Sequence, residues 1–307
     1  MRRDAGFVLI NALILVAAMA AAAILLLSRA EGGRARLGAA QEARILTANL
    51  DAYDAYARAV LRADQQEGAM DTPGDAWARP SVDLPLAQGT VSGQIVDMQG
   101  RFNLNWVSAP DDEAAVEALR RLFSRLGLAP QQADAVIAYL SPGGPSNRAA
   151  YAELSPPVNP LGGSIVMLDQ LAALPELEDD ALDRLRTHVA VLPGRSRVNL
   201  NTADATLLAV LLPDVAPARL DAAAARRLTR PYASVEAFFS ELGISIDPEV
   251  EGSVDASRYA VGSRWFAATS EARLDGRLAT RRTVIRRGTP IEGPQVEWRV
   301  TRFESPQ

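Results

Sequence analysis

The sequence predicts an α+β chain in which a long N-terminal helix packs on an antiparallel β-sheet and a large all-α domain is inserted between strands. Three observations predict it. Apolar text from Phe7 to Leu27 runs without a break into an amphipathic stretch. Strand-like text appears between residues 90 and 105 and then not again until residue 264. Helical text fills the span between these two β regions, 107–255.

The run Phe7–Leu27 has 21 residues, with Asn11 as its polar interruption. As a helix it would be about 31 Å long at ~1.5 Å per residue, enough to cross the hydrocarbon core of a bilayer. Arg2 and Arg3 precede it, which keeps the amino terminus cytoplasmic by the positive-inside rule and sends the bulk of the chain across the membrane. A cleaved secretory signal is the alternative, with Ala20–Ala23 as the small-residue site. The apolar text continues past that site to Leu27, which favours a retained anchor.

Residues 28–66 read as an amphipathic helical stalk. Leu37, Ala40, Ala43, Ile45, Leu46, Leu50, Tyr53, Ala57, Val60 and Leu61 mostly follow the three-to-four spacing of one buried stripe. Gly32 and Gly33 weaken the helix just beyond the membrane and allow a bend. The stretch Asp71 to Pro85, with Pro73, Gly74, Pro80 and Pro85, reads as a loop. A first β region, 67–106, then carries strand text over Thr90–Asp97, a turn at Met98-Gln99-Gly100, and Arg101–Asn105. The second β region, 256–307, pairs Arg264–Leu274 with Arg277–Arg287 about Asp275-Gly276, a hairpin signal, and adds Gln295–Phe303.

The inserted segment carries a weak internal repeat. Asn103-Leu104-Asn105 recurs as Asn199-Leu200-Asn201. Helical text follows the first copy over Asp111–Leu126 and Pro130–Leu140, and the second over Ala203–Leu212 and Ala216–Leu228. A further apolar-patterned stretch closes each copy, Ser164–Leu192 and Ser234–Ile246. The string Val198–Leu208 resembles the opening of a helix-hairpin-helix unit, a family that binds DNA phosphates through a glycine-rich hairpin. The corresponding turn here, Leu212–Pro217, has no glycine, two prolines and Asp214. Proline offers no N–H to a phosphate. The segment therefore reads as structural, with Asn201 or Thr202 capping a helix and Leu200 buried.

Composition removes most enzyme plans. All 32 basic side chains are arginine, no cysteine occurs, and His188 is the single histidine. Without lysine there is no P-loop lysine or Schiff base; without cysteine there is no thiolate nucleophile, zinc ribbon or iron–sulfur cluster. His188 lies in helical text with no nucleophile-elbow pattern anywhere, so it reads as a surface or helix-end residue. Glu176, Glu178, Asp179, Asp180 and Asp183 read as a solvated helix start rather than a cation site. Arg281-Arg282 and Arg286-Arg287 read as solvent-facing strand residues. The net charge of −5 argues against phosphate-neutralising nucleic-acid binding.

Several of these residues carry a family resemblance. A short charged leader ending in Gly6, then Phe7 and an apolar helix, resembles a type IV prepilin or pseudopilin signal. That family implies peptidase cleavage between Gly6 and Phe7 and methylation of the new Phe7 amine. Its members usually carry glutamate where this chain has Asn11, a charge that must be paired within the bilayer. A subunit at a filament tip needs no such partner, and the missing glutamate is characteristic of minor pseudopilin K of type II secretion systems.

Asn199, Asn201, Thr202 and Ala203, together with Asp97, Gly100, Asn103 and Asn105, are similar to that family's Asn-x-Asn-Thr-Ala and Asp-x-x-Gly…Asn-Leu-Asn elements. The resemblance spans nearly the whole chain. It implies a pilin-like fold with leader 1–6, membrane helix 7–27 and an insert of helix-hairpin-helix or SAM-like repeats. It further implies a structural, non-enzymatic tip subunit in the bacterial inner membrane with its bulk in the periplasm. The implied partners are minor pseudopilins I and J, the major pseudopilin, the inner-membrane assembly platform and prepilin peptidase.

Some family members bind calcium in the α domain through aspartates that would fall near Tyr139–Tyr151. This stretch holds no carboxylate, so no metal ligand is carried over and no cofactor is expected. Two rival readings stay open at this point: a membrane-anchored, competence-type DNA-binding protein, and a minor pilin of a type IV pilus.

Overall fold

The computed structural model describes the backbone of residues 4–250 and 252–304, with side chains described apart from 4–12, 81–83 and 179. A single helix, α1 (Asp4–Glu67), spans 64 residues and is about 96 Å long at ~1.5 Å per residue. Its two halves behave differently. From Leu13 to Leu27 the large apolar side chains are exposed, so this half projects free of the rest of the molecule. From Leu46 onward, Leu46, Leu50, Tyr53, Ala57 and Leu61 are buried at the spacing of one helical face. Leu37, expected in this stripe, is 74 % exposed, because α1 meets the sheet only further along. The helix continues unbroken through Gly32 and Gly33.

After α1 the chain makes a single 3-10 turn at Ala76–Ala78, which buries Trp77 edge-on against Phe266 at 5.2 Å. Strand β1 (Ser81–Pro85) follows, within the stretch read from sequence as a loop. It is an edge strand bracketed by Pro80 and Pro85. Proline is tolerated there because an edge strand does not need every N–H for a ladder. Strand β2 (Thr90–Asp97) then leads to the point where the chain leaves the sheet.

The excursion builds two halves in turn. The first contains β3 (Phe102–Asn103), a 3-10 turn at Leu104–Trp106, α2 (Glu113–Arg125), α3 (Pro130–Leu140), α4 (Ala149–Ala152), a 3-10 segment at Leu168–Ala173, α5 (Asp179–His188) and β4 (Val189–Ala190). The second contains β5 (Val198–Asn199), α6 (Ala205–Leu211), α7 (Pro217–Arg226), α8 (Val235–Glu241) and β6 (Tyr259–Ala260). The insert is therefore not purely helical: β3 pairs parallel with β4, and β5 parallel with β6. One continuous core, including Phe102, Leu119, Phe123, Leu200, Leu208 and Phe239, runs through both halves.

The chain returns as β7 (Trp265–Leu274), turns into β8 (Arg277–Arg287) and ends in β9 (Pro294–Glu304). The five-stranded antiparallel sheet has the order β1-β2-β7-β8-β9. Asp97 pairs with Phe266, so the insert leaves and re-enters at the ends of two hydrogen-bonded neighbours. At the β7–β8 turn Asp275 and Gly276 both have positive φ, 47° and 82°, as the Asp-Gly hairpin signal requires. Phe266, Ala268, Ala272, Ala279 and Ile285 form the sheet face that packs on α1. The opposite face, through Ala267 and Val284, packs on Met98, Ala190 and Leu192 of the insert.

Candidate functional site

The two Asn-Leu-Asn strings do equivalent jobs. Asn103 Oδ1 accepts from the N–H of Asn105, and Asn199 Oδ1 accepts from the N–H of Asn201. The second asparagine of each copy then ties down a distant segment. Asn105 donates to the carbonyls of Ile165 and Leu192 and accepts from the N–H of Ile165. Asn201 donates to the carbonyl of Tyr232 and accepts from its N–H. Leu104 and Leu200 are fully buried beside these knots. Helix α6 is capped by Asp204, which accepts from the N–H of Leu207, and not by Asn201 or Thr202. Asn201 is committed to Tyr232, and Thr202 points instead at Asp97.

Asp97, Gly100, Asn199 and Thr202 meet where the sheet, the end of α1 and the insert converge. Asn199 Nδ2 donates to the carbonyl of Asp71, the carboxylate of Asp97 and the hydroxyl of Ser263, each at 3.0 Å. Asp97 Oδ2 also accepts from the hydroxyls of Thr202 at 2.5 Å and Ser263 at 2.6 Å, and Oδ1 accepts from the N–H of Gln99. Gln99 extends the knot by donating to the Arg197 carbonyl and accepting from the N–H of Arg264. Gly100 touches the Thr202 backbone so closely that a Cβ would lie 2.8 Å from its carbonyl oxygen. Asn103, Asn105, Asn201 and Ala203 lie in the insert's own knots rather than at this junction. Arg227, buried beneath the second knot, donates to the carbonyls of Leu200 and Ala203.

A charged layer underlies the junction. Arg287 Nη1 lies 2.6 Å from Asp71 and Nη2 lies 2.7 Å from Asp64, all three being buried. About three turns of α1 earlier the pattern repeats: Arg281 pairs with Asp51 at 2.6 Å and Asp54 at 3.0 Å, and Asp54 also accepts from Thr283. The solvent-facing reading of these arginines thus fails for Arg281 and Arg287. Strand alternation puts 281, 283, 285 and 287 on the α1 side, where each charge meets a helix carboxylate. Arg282 and Arg286 are half-buried on the other side.

Three carboxylates, Asp64, Asp71 and Asp75, have oxygens within 4.8 Å of one another and form the candidate cation group among the described residues. Their oxygens are already served by donors. Arg287 bridges two of them, and Asp75 accepts from Thr72 and Trp77. The cluster is built around a guanidinium.

Burial pushes the Asp97 carboxyl up, outweighing the hydrogen bonds that Ser263, Thr202 and Gln99 donate to it. Burial also raises Asp71 and lifts Asp64 to about 6, in the latter case outweighing the nearby Arg287, with Asp71 adding repulsion. A carboxyl raised in the folded state keeps its proton where the unfolded chain has released it. Its stability contribution is therefore complete below about pH 4 and is lost as pH rises through about 6. Thermal unfolding at pH 4.5 and 7.5 checks this. Relative to Asp64→Asn, the parent chain should lose ground as pH rises, and a gain would refute the assignment.

Other sequence candidates lie apart. Gly6, Phe7 and Asn11 fall on the α1 backbone, and their side chains lie outside the described residues. His188 ends α5 with Nδ1 3.4 Å from Asp204. The turn after α6 exposes Pro213 and Asp214. In the stretch where the resemblance locates calcium ligands, Arg148 donates to the carbonyls of Gly143 and Pro145. Asp64, Asp71 and Ser263 belong to the junction but were not singled out from sequence, and Arg287 was read there as solvent-facing. The alternation of arginines on β8 against aspartates spaced along α1 was the available signal.

The comparisons with known proteins fall on this same architecture. Two family models described as "Type II secretion system (T2SS), protein K" match residues 100–194 and 198–258, together just over half of the chain. Their boundaries follow the two halves of the insert. A protein from Pseudomonas aeruginosa described as "Type II secretion system protein K" is 28% identical over 254 residues, covering 76% of this chain and 73% of that protein. Proteins of the same description from Pectobacterium carotovorum and Aeromonas hydrophila are 25% identical over 224 residues and 30% identical over 162 residues. These cover 66% and 45% of this chain, and 67% and 49% of the relatives. A chain of the crystal structure of the GspK-GspI-GspJ complex from enterotoxigenic Escherichia coli superposes with a TM-score of 0.70 at 21% identity, covering 88% of this chain and 100% of that one.

Proposed function

This chain belongs to the type II secretion system protein K family and is a minor pseudopilin, and from that premise we propose that it forms and caps the tip of the pseudopilus. The observation that carries this reading is the placement of the insert. The exposed apolar half of α1 lies at one end of the helix. The junction holding the insert meets the other end, through Asp64 and Asp71. An anchored subunit of this shape carries its bulk away from the membrane, where it would obstruct a further subunit stacking above it.

In this reading the apolar half of α1 spans the inner membrane once, with the amino terminus cytoplasmic and the sheet and insert in the periplasm. Prepilin peptidase cuts between Gly6 and Phe7, and the Phe7 amine is methylated. Asn11, neutral within the bilayer, suits a subunit with no neighbour above it. Minor pseudopilins I and J pack along α1, with the major pseudopilin and the inner-membrane assembly platform below. The two halves of the insert act as helix-hairpin-helix-like structural units, and the chain works by shape without a cofactor.

Co-expression with minor pseudopilins I and J, membrane extraction and intact-mass analysis test the reading. A stoichiometric complex is expected, in which this chain starts at a methylated Phe7. A different mature terminus, or a chain that purifies alone, would overturn it.

A further inference from the structure

We propose that the groove between the back of the sheet and the insert is a docking site for an extended acidic peptide, one that places a carboxylate beside an apolar side chain. The proposal does not depend on the assembly reading above.

The groove holds a cavity of about 160 Å³. Met98, Val189, Ala190, Trp298 and Val300 give it an apolar floor and wall. Its charge is one-sided. Arg282 rises from β8 into it with a buried Nε that has no hydrogen-bond partner, and among the described residues its guanidinium makes no ion pair. Arg186 and Arg302 line the same groove, and Arg101, outside that lining, donates to the Arg186 carbonyl. The facing carboxylates are few. Asp169 is engaged by Arg186 and lies 3.7 Å from Arg302, and Asp183 pairs with Arg186 from an exposed position. Burial, followed by the nearby Arg186, pushes the Arg282 guanidinium below its usual range. Burial and Arg282 do the same to Arg101.

In a chain of net charge −5, an arginine cluster only partly neutralised by Asp169 and Asp183, with Arg282 left out of every ion pair among the described residues, is a local inversion of sign in a half-enclosed groove. A buried guanidinium with a free N–H is satisfied best by a carboxylate, which accepts in the geometry of the fork. The apolar floor asks for an adjoining hydrophobic group, which a free inorganic anion lacks. The groove also runs along β9, the edge strand, whose outer side no strand pairs with among the described residues. A peptide backbone can add its hydrogen bonds there while alternate side chains enter the groove.

The test measures fluorescence anisotropy of a labelled, end-blocked heptapeptide of alternating valine and glutamate, titrated with the full chain in detergent micelles. The glutamate peptide should bind, and its glutamine counterpart should bind at least tenfold more weakly. Arg282→Gln should weaken the glutamate peptide at least tenfold. Arg302→Gln, at a rim position where the side chain is 72% exposed, should weaken it several-fold without disturbing packing. Arg286→Gln, paired outside the groove with Glu297, should leave it unchanged. No binding, equal affinity for the two peptides, or displacement by inorganic phosphate as potent as by unlabelled peptide would overturn the proposal. Should Arg282→Gln fail to fold, the peptide pair on the parent chain and the Arg302→Gln variant decide it.

Discussion

Arg287→Ala is expected to destabilise the chain by about 3–5 kcal/mol, the range for removing one partner of a buried ion pair. The side chain is 6% exposed and serves two carboxylates at once, Asp71 at 2.6 Å and Asp64 at 2.7 Å. Its guanidinium also lies 4.6 Å from the centroid of the Phe266 ring, within the α1–sheet core. Deleting it leaves two buried carboxylates facing each other with no countercharge.

Urea unfolding of the detergent-solubilised chain, followed by tryptophan fluorescence, measures the loss. Asp64→Asn in the same background should recover part of it, because one of the stranded charges, which burial already disfavours, disappears. A double-mutant cycle that returned simple additivity would mean that Arg287 acts through packing on Phe266 and not through charge. Arg281 offers an internal comparison. About three turns of α1 earlier it pairs with Asp54, which is buried, and with the more exposed Asp51. Its loss should cost less, since one of its partners can turn to water.

How much of this was legible beforehand depended on whether a residue's partner lay nearby in sequence. The apolar run, the stripe Leu46–Leu61, the Asp275-Gly276 hairpin and the helices of the insert are local patterns, and periodicity and turn chemistry expose them. Strand β1 was hidden because its prolines imitate a loop, and only pairing with β2 makes it a strand. The junction was half visible. Asp97, Gly100, Asn199 and Thr202 stood out as motif letters, while their function as one knot depends on bonds to Asp71 and Ser263, separated from Asn199 by 128 and 64 positions.

The arginines of β8 misled in an instructive way. In an acidic chain an Arg-Arg pair suggests solvent, yet strand alternation forces one member of each pair inward. Aspartates on the apolar face of α1 were the sign that an inward charge would be met. Asp54 lies in the same helical stripe as Leu50, Ala57 and Leu61. A charge in that stripe requires a partner across the interface.

Asn199→Ala should separate the insert from the sheet, whereas Asn103→Ala should not, although both occupy the same place in the repeat. Asn199 Nδ2 reaches outside the insert, to Asp71 before the sheet, Asp97 at the end of β2 and Ser263 at the re-entry point. Asn103 Nδ2 stays within it, donating to Pro193 and Ser196. Each buried polar group left unpaired costs roughly 1–3 kcal/mol, and Asn199→Ala strands several at once, so a loss of about 3 kcal/mol or more is expected. Gly100→Ala attacks the same seam sterically, because its Cβ would come 2.8 Å from the Thr202 carbonyl oxygen. The re-entry point exposes Arg264, whose N–H is held by Gln99 of the junction next to Ser263. Trypsin should therefore cut there much faster in Asn199→Ala and Gly100→Ala than in the parent chain, with fragment masses identifying the site. Asn103→Ala frees the 193–196 link that it holds directly, yet should leave Arg264 bound to Gln99. If Asn103→Ala opened the Arg264 site as readily as Asn199→Ala, the junction would be no more than one part of a uniformly weakened core, and its role as the hinge-point of the insert would fall.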